Sequence, residues 1–241
     1  MRDYVKELEL RVDFIRAVLN FAGADGIVYG NSGGKDSALV GILCKYACEN
    51  TVGIIMPCES KRNYGMDKED AITVADYFHI ETREVDITPV KKSVCKSLKG
   101  TTELTKMASA NINPRIRMLT LYAVAASENR LVAGTGNYSE SYMGYFTKWG
   151  DGACDFNPIS DLTVTEVYEF LNYLNCPECV INKAPSAALF DDQTDEGEMG
   201  VSYKDIDKFL LTGVADKDVK KIIDEKHAKS SHKRGQPYYF K

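Results

Sequence analysis

The sequence predicts an α/β protein, a parallel β-sheet flanked by helices, followed by a mostly helical C-terminal extension. Three observations predict it. Short apolar runs alternate with amphipathic segments of roughly ten to fifteen residues, the pattern of a parallel sheet with helical crossovers. The runs are apolar without in–out alternation, which suits strands covered on both faces. From about residue 164 onward the spacing is helical only.

Residues 4–20 carry Val5, Leu8, Val12, Phe14, Ile15 and Leu19 near helical spacing. Gly26 to Gly30 is a first strand, ended by glycine. Residues 36–48 return to helical spacing with Ala38, Leu39, Ile42, Leu43 and Tyr46. Thr51 to Met56 is a second strand, stopped by Pro57. A helix over 66–78 and a third strand within His79–Asp86 follow. Asn113 is expected to cap the next helix, with Pro114 at its first position, running to Asn129. Leu131 to Gly134 is the fourth strand.

The chain has 241 residues, 44% of them apolar and 27% charged. That balance excludes a disordered chain and gives room for a large core. One domain spanning 1–241 is expected, with the helical extension packed on the sheet. The net charge of −5 disfavours a general electrostatic grip on nucleic acid. No apolar stretch approaches the roughly 18 residues of a membrane span. The start, Met1-Arg2-Asp3-Tyr4, has no signal-peptide character, so a cytoplasmic protein with no membrane partner is expected. The seven cysteines are expected as free thiols. Cys176-Pro177-Glu178-Cys179 reads as a helix start with Pro at the first position rather than half of a zinc site, because no second pair or nearby His completes it.

The strongest motif is Gly30-Asn31-Ser32-Gly33-Gly34-Lys35-Asp36-Ser37-Ala38, between the first strand and the next helix. Glycines let the backbone approach an anion, and the following helix N-terminus favours phosphate. Ser32 and Ser37 add hydroxyls. A bare Asp36 carboxylate would repel phosphate, and makes sense if it shares a divalent cation with it. The spacing is neither G-x-x-x-x-G-K-S/T nor G-x-G-x-x-G. It resembles S-G-G-x-D-S, the pyrophosphate loop of the ATP pyrophosphatases, which split ATP between its α and β phosphates.

A second constellation, Gly134-Thr135-Gly136-Asn137-Tyr138-Ser139-Glu140, follows the fourth strand. Both loops belong at the carboxyl edge of a parallel sheet, where ligands bind. Glu140 either completes the cation site begun by Asp36 or satisfies a helix dipole. Residues 144–159 then gather aromatic rings, Lys148, Asp151 and Asp155 in a Gly-rich segment with the only Trp. Lys183-Ala184-Pro185-Ser186 precedes an acidic loop, and the chain closes on Ser231-His232-Lys233-Arg234.

Together, G-T-G-N-x-S-E, G-Y-F-T-K-x-G-D-G, D-x-N-P, K-x-P-S-A, Q-T-D-E and H-K-R resemble the ammonia-dependent NAD synthetases over nearly the whole chain. The resemblance implies a Rossmann-like, adenine nucleotide alpha hydrolase-like sheet. It implies adenylylation of the nicotinate carboxylate of deamido-NAD by Mg-ATP, then displacement of AMP by ammonia, as the final step of NAD biosynthesis. It places ATP on residues 30–37, Thr135 and Ser186, and Mg²⁺ on Asp36 and Glu140. It places deamido-NAD on Arg115, Lys148, Asp155, His232 and Lys233, and the handling of ammonia on Asp151. A homodimer joined through the helix from Pro114 is implied, with mobile lids at 101–110 and 190–199. Free ammonia, or ammonia from a separate protein, is the implied nitrogen source, since the synthetase resemblance begins near residue 4 and leaves no room for a glutaminase part. One departure is Val164, where such enzymes usually carry a nucleotide-contacting Lys; either Lys35, Lys148 or Lys183 compensates, or ATP binds more weakly. The competing readings are a tRNA- or base-modifying ATP pyrophosphatase, which net charge −5 disfavours, and a nucleotide sensor, which would not need Asp36 and Glu140.

Overall fold

The computed structural model describes residues 2–183 and 195–240. In chain order the elements are α1 (Tyr4–Ala22), β1 (Gly26–Gly30), α2 (Lys35–Ala47), β2 (Thr51–Ile55), α3 (Lys61–Tyr64), α4 (Met66–Tyr77), β3 (Glu81–Glu84), α5 (Thr88–Ser97), α6 (Lys106–Ala110), α7 (Ile112–Glu128) and β4 (Arg130–Ala133). Then come α8 (Tyr138–Met143), α9 (Val164–Tyr173), α10 (Glu178–Ile181), α11 (Asp195–Met199), α12 (Tyr203–Thr212), α13 (Lys217–Lys229) and α14 (Ser231–Arg234).

The four strands form one parallel sheet in the order β3-β2-β1-β4. Val28, on the central strand, is aligned with Val52 of β2 and Val132 of β4. Ala133 also forms a parallel bridge to Phe156, so the segment after the second loop returns along the free edge of β4. β1 and β2 are buried on both faces, which explains their unalternating apolar runs. One face packs Ile27 and Tyr29 against Leu39, Ile42 and Leu43 of α2, and α9 joins that cluster through Val167, Phe170 and Leu171. The other face packs Val28, Val52 and Ile54 under Ile116, Leu121 and Ala125 of α7. Among the described residues no helix is long and apolar enough to cross a membrane.

Tyr29 is 1% exposed and lies in a slot made by two glycines. A Cβ on Gly41 would stand 2.4 Å from its hydroxyl, and one on Gly53 2.9 Å. Gly41→Ala sets a helix-propensity gain of roughly 1 kcal/mol against overpacking of about 1–3 kcal/mol. The ring is enclosed and cannot retreat, so overpacking wins. Thermal unfolding of Gly41→Ala is expected several degrees below wild type; an unchanged or raised midpoint would contradict the slot.

α7 begins earlier than the sequence predicts. Its N-cap is Asn111 and its first residue Ile112, so Pro114 is the third helical residue. Pro114 costs nothing there, because first-turn amides have no partner within the helix. Asn113 is buried instead of capping, and its Oδ1 accepts the Cys58 thiol at 3.6 Å. Likewise Pro177 is the N-cap of α10 and not its first residue. All seven cysteines are free, with Cys176 buried and Cys179 exposed.

Candidate active site

From β1 the chain steps outward to β2 and β3, then returns to lay β4 on the other flank of β1. Strand order reverses there, and open α/β sheets bind ligands at the carboxyl edge of such a switch point. Both Gly-rich loops leave that edge. A cavity of about 570 Å³ opens between them, lined by Gly30–Ser32, Gly34–Ser37, Thr135 and Glu140 among others.

The first loop is bent by Gly33, at φ +70°, where a Cβ would stand 2.0 Å from the Asp67 carbonyl oxygen. Only glycine permits both the left-handed turn and that approach to α4. Asn31 Nδ2 donates to Ala71 O at 3.1 Å, a second tie to α4. Lys183 Nζ makes a third, 2.7 Å from Asp67, 2.6 Å from Asp70 and 3.1 Å from Gly33 O. The hydroxyls of Ser32 and Ser37 lie 3.0 Å apart at the mouth of α2. Gly34 caps α2 without a side-chain oxygen, so this N-terminus remains open to an anion.

The second loop delivers Glu140 from the first turn of α8. Asn137 caps that helix through Glu140 N at 3.0 Å, and its Nδ2 donates to Asp36 Oδ1 at 3.0 Å. One asparagine thus locks the two loops together. Lys35 Nζ completes the pairing, 2.6 Å from Asp36 and 3.3 Å from Glu140. Burial and the Asp36 carboxylate push the Glu140 carboxyl up to about 8. Burial opposes charge on Lys35, but the two carboxylates outweigh it and hold the ammonium above the ordinary lysine value.

The remaining walls come from further along the chain. Asp151 lines the cavity and accepts the Thr147 N–H at 3.0 Å. Lys233 Nζ donates to the Gly144 and Phe146 carbonyls, both at 2.8 Å, and burial lowers its pKa. Arg117, which belongs to none of the sequence motifs, also lines the cavity. Its Nε and Nη2 donate to Met56 O at 3.2 Å, and burial lowers its pKa. Neither Arg117 nor Lys233 has a carboxylate within ion-pair distance among the described residues. An arginine among Ile116, Met118 and Leu121 on an apolar helix was the available signal.

Other sequence-derived candidates fall outside this cavity. Arg115, Lys148 and His232 form an adjoining group, with Arg115 Nη2 donating to Lys148 O at 3.3 Å and Lys148 Nζ to His232 O at 2.6 Å. The Asp155 carboxylate accepts Val132 N at 2.7 Å and the Tyr122 hydroxyl at 3.2 Å, on the edge of β4. Ser186 and residues 190–194 lie outside the described residues, while 195–199 form α11. The 101–110 segment is a turn leading into α6.

Among the described residues no three His, Cys, Asp or Glu side chains gather as a metal cluster. Two carboxylates that already converge on one ammonium are a smaller donor set. It suits Mg²⁺, which takes one or two carboxylates and completes its shell with substrate phosphates and water.

Comparison with known proteins decides the family. The NAD synthase family model matches residues 7–237. The chain belongs to the NAD synthase family. It is 47% identical to the NH3-dependent NAD(+) synthetase of Carboxydothermus hydrogenoformans, over 98% of this chain and 97% of that one. Among solved structures, the NMN synthetase of Francisella tularensis superposes with a TM-score of 0.94 at 34% identity, covering 99% of each chain. The NH3-dependent NAD synthetase of Campylobacter jejuni superposes with a TM-score of 0.81 at 32% identity, covering 100% of each. In this NAD synthase Val164 is the first residue of α9, 3% exposed in a cluster with Met143, Tyr203 and Ile206. Of the three lysines offered in compensation, Lys35 and Lys183 line the cavity and Lys148 does not.

Proposed function

We propose that this chain is an ammonia-dependent NAD synthetase that activates the nicotinate carboxylate of deamido-NAD with ATP and releases AMP and pyrophosphate. One observation carries the reading: Asp36 and Glu140, from the two switch-point loops, converge beside the open N-terminus of α2.

A carboxylate resists ammonia because its charge repels nucleophiles and oxide leaves badly. Transfer of AMP onto it removes both obstacles. The first turn of α2, with Ser32 and Ser37, is the cradle for the β and γ phosphates, and fixed donors there stabilise charge as pyrophosphate leaves. Mg²⁺ held by Asp36 and Glu140 would neutralise part of that developing charge. Thr135, on the facing loop, borders the nucleotide. Among the described residues Arg117 and Lys233 have no carboxylate within ion-pair distance, so a substrate phosphate or carboxylate can take that place. Arg115, Lys148 and His232 extend the same region outward, the direction a dinucleotide longer than the cavity would take. Asp155, Ser186 and a homodimer paired through α7, which leaves Leu119 61% exposed, complete the proposal.

Asp151 is the group for ammonium, which must lose a proton before its nitrogen can attack. Asp151→Asn is expected to slow amide formation by about a hundredfold, the usual worth of a positioned base, with adenylylation largely kept. Single-turnover rates of AMP transfer and of NAD formation check it; equal loss of both steps contradicts the role.

A second reading has its own observation, the 0.94 superposition on an NMN synthetase. The same chemistry on a mononucleotide would not need the outer Arg115, Lys148 and His232 group. The 47% identity to an NAD synthetase ranks the dinucleotide first. The test is incubation with ATP, Mg²⁺ and ammonium, with deamido-NAD or the nicotinate mononucleotide in parallel. The reading requires NAD, AMP and pyrophosphate, with the dinucleotide preferred in kcat/KM. Preference for the mononucleotide would reverse the order, and ADP with phosphate would refute both.

A further inference from the structure

Lys35 opens α2 directly after the glycines, so its side chain starts from the phosphate loop itself. The chain does not send it to solvent. The side chain is 6% exposed, and its ammonium lies between Asp36, 15% exposed, and Glu140, 17% exposed. The ring of Tyr203 sits 5.6 Å from the ammonium, a distance at which an aromatic face holds a cation. Tyr203 is in turn fixed through its hydroxyl to Asp195 at 3.1 Å.

An ammonium at this point competes with a metal ion for the same oxygens. Mg²⁺ needs carboxylate oxygens at roughly 2.0–2.1 Å, and a lysine already 2.6 Å from one of them repels it as a like charge. The stem of a lysine is flexible and its three donors rotate freely. A phosphate arriving at the mouth of α2 therefore offers Lys35 an alternative partner within reach. Moving to it clears the carboxylates and leaves the positive charge on the phosphates.

We infer that Lys35 is a resident counter-ion of the cation site, and that it makes metal binding conditional on nucleotide. The inference rests on the assignment of Asp36 and Glu140 to the cation. Binding free energies are reciprocal, so metal and nucleotide strengthen each other by one common factor. The lysine that keeps the site closed also becomes a phosphate ligand once the site is loaded. Free divalent cation alone then leaves the two loops in their resting arrangement.

Mn²⁺ serves as the probe, titrated by electron paramagnetic resonance with and without α,β-methylene-ATP, whose bridging bond resists cleavage. Wild type is expected to bind Mn²⁺ about tenfold or more tightly with the analogue than without it, within the usual range of such couplings. Lys35→Met is expected to bind Mn²⁺ about tenfold more tightly than wild type in the absence of nucleotide, and to show a coupling smaller by that factor, the share due to phosphate ligands on the metal remaining. Lys35→Arg, which keeps the charge, is expected to retain the wild-type coupling. Circular dichroism verifies that each variant is folded. Should Lys35→Met not fold, Lys35→Gln takes its place with the same expectation; equal Mn²⁺ affinity of wild type with and without the analogue overturns the inference. Unchanged nucleotide-free affinity in a folded Lys35→Met overturns it too. In both cases the assignment of Asp36 stands if Asp36→Asn abolishes the binding. No Mn²⁺ binding to wild type even with the analogue overturns the metal assignment and this inference together.

Discussion

Asp36→Asn is expected to reduce kcat/KM for NAD formation by about a thousandfold, the scale on which a fixed electrostatic contact to a transition state is lost. The substitution is nearly isosteric; it removes the charge and turns one of two accepting oxygens into a donor. Asp36 joins both loops, accepting Asn137 at 3.0 Å and Lys35 at 2.6 Å. An amide at this point still fits the loop, but it offers a metal a weaker ligand and leaves Lys35 with Glu140 as its remaining carboxylate partner. The loss is expected in the adenylylation step, visible as slowed release of pyrophosphate in a single turnover. A variant within threefold of wild type in that step would place the cation elsewhere.

Gly33→Ala is the second large effect, and it acts through shape instead of charge. At φ +70° an alanine pays roughly 1–2 kcal/mol for the left-handed conformation alone. Its Cβ would also stand 2.0 Å from the Asp67 carbonyl oxygen, which is backbone and has no rotamer to change. The loop must therefore lift from α4, pulling at Asn31–Ala71 and at the Lys183 contact with Gly33 O. KM for ATP is expected to rise about tenfold or more, because a shift near 1 Å in a positioning element costs at least that much. Gly213→Ala separates the two causes: it has φ +73° and nothing within 4 Å of the added Cβ. That variant is expected to lose a little thermal stability and keep its KM for ATP. Equal behaviour of the two variants would show that strain, and not the approach to α4, governs the loop.

The central strands were legible because β1 and β2 are buried on both faces, so continuous apolar runs such as Ile27-Val28-Tyr29 mark them, whereas β3 is a polar, largely exposed edge without such a run. The two loops were legible because glycines at strand ends leave a local signature. The start of α7 was not, since Asn113 reads as a cap until Cys58 claims its side chain from 55 positions away. The Lys183 clamp was hidden for the same reason, its carboxylate partners lying 116 and 113 residues earlier on α4. Arg117 lacked a motif of its own, and only the packing of α7 over the sheet brings it against Met56, just past the end of β2. Charge pairs across elements follow from the folded path, while turn chemistry and strand burial are written within a few residues.

The central claim is that ATP is broken at its α phosphate by the substrate carboxylate. Deamido-NAD carrying ¹⁸O in its nicotinate carboxylate, turned over with ATP and ammonium, tests it most directly. One ¹⁸O in the phosphate of AMP and none in pyrophosphate is the expected result. Unlabelled AMP, or label in inorganic phosphate alongside ADP, would contradict it.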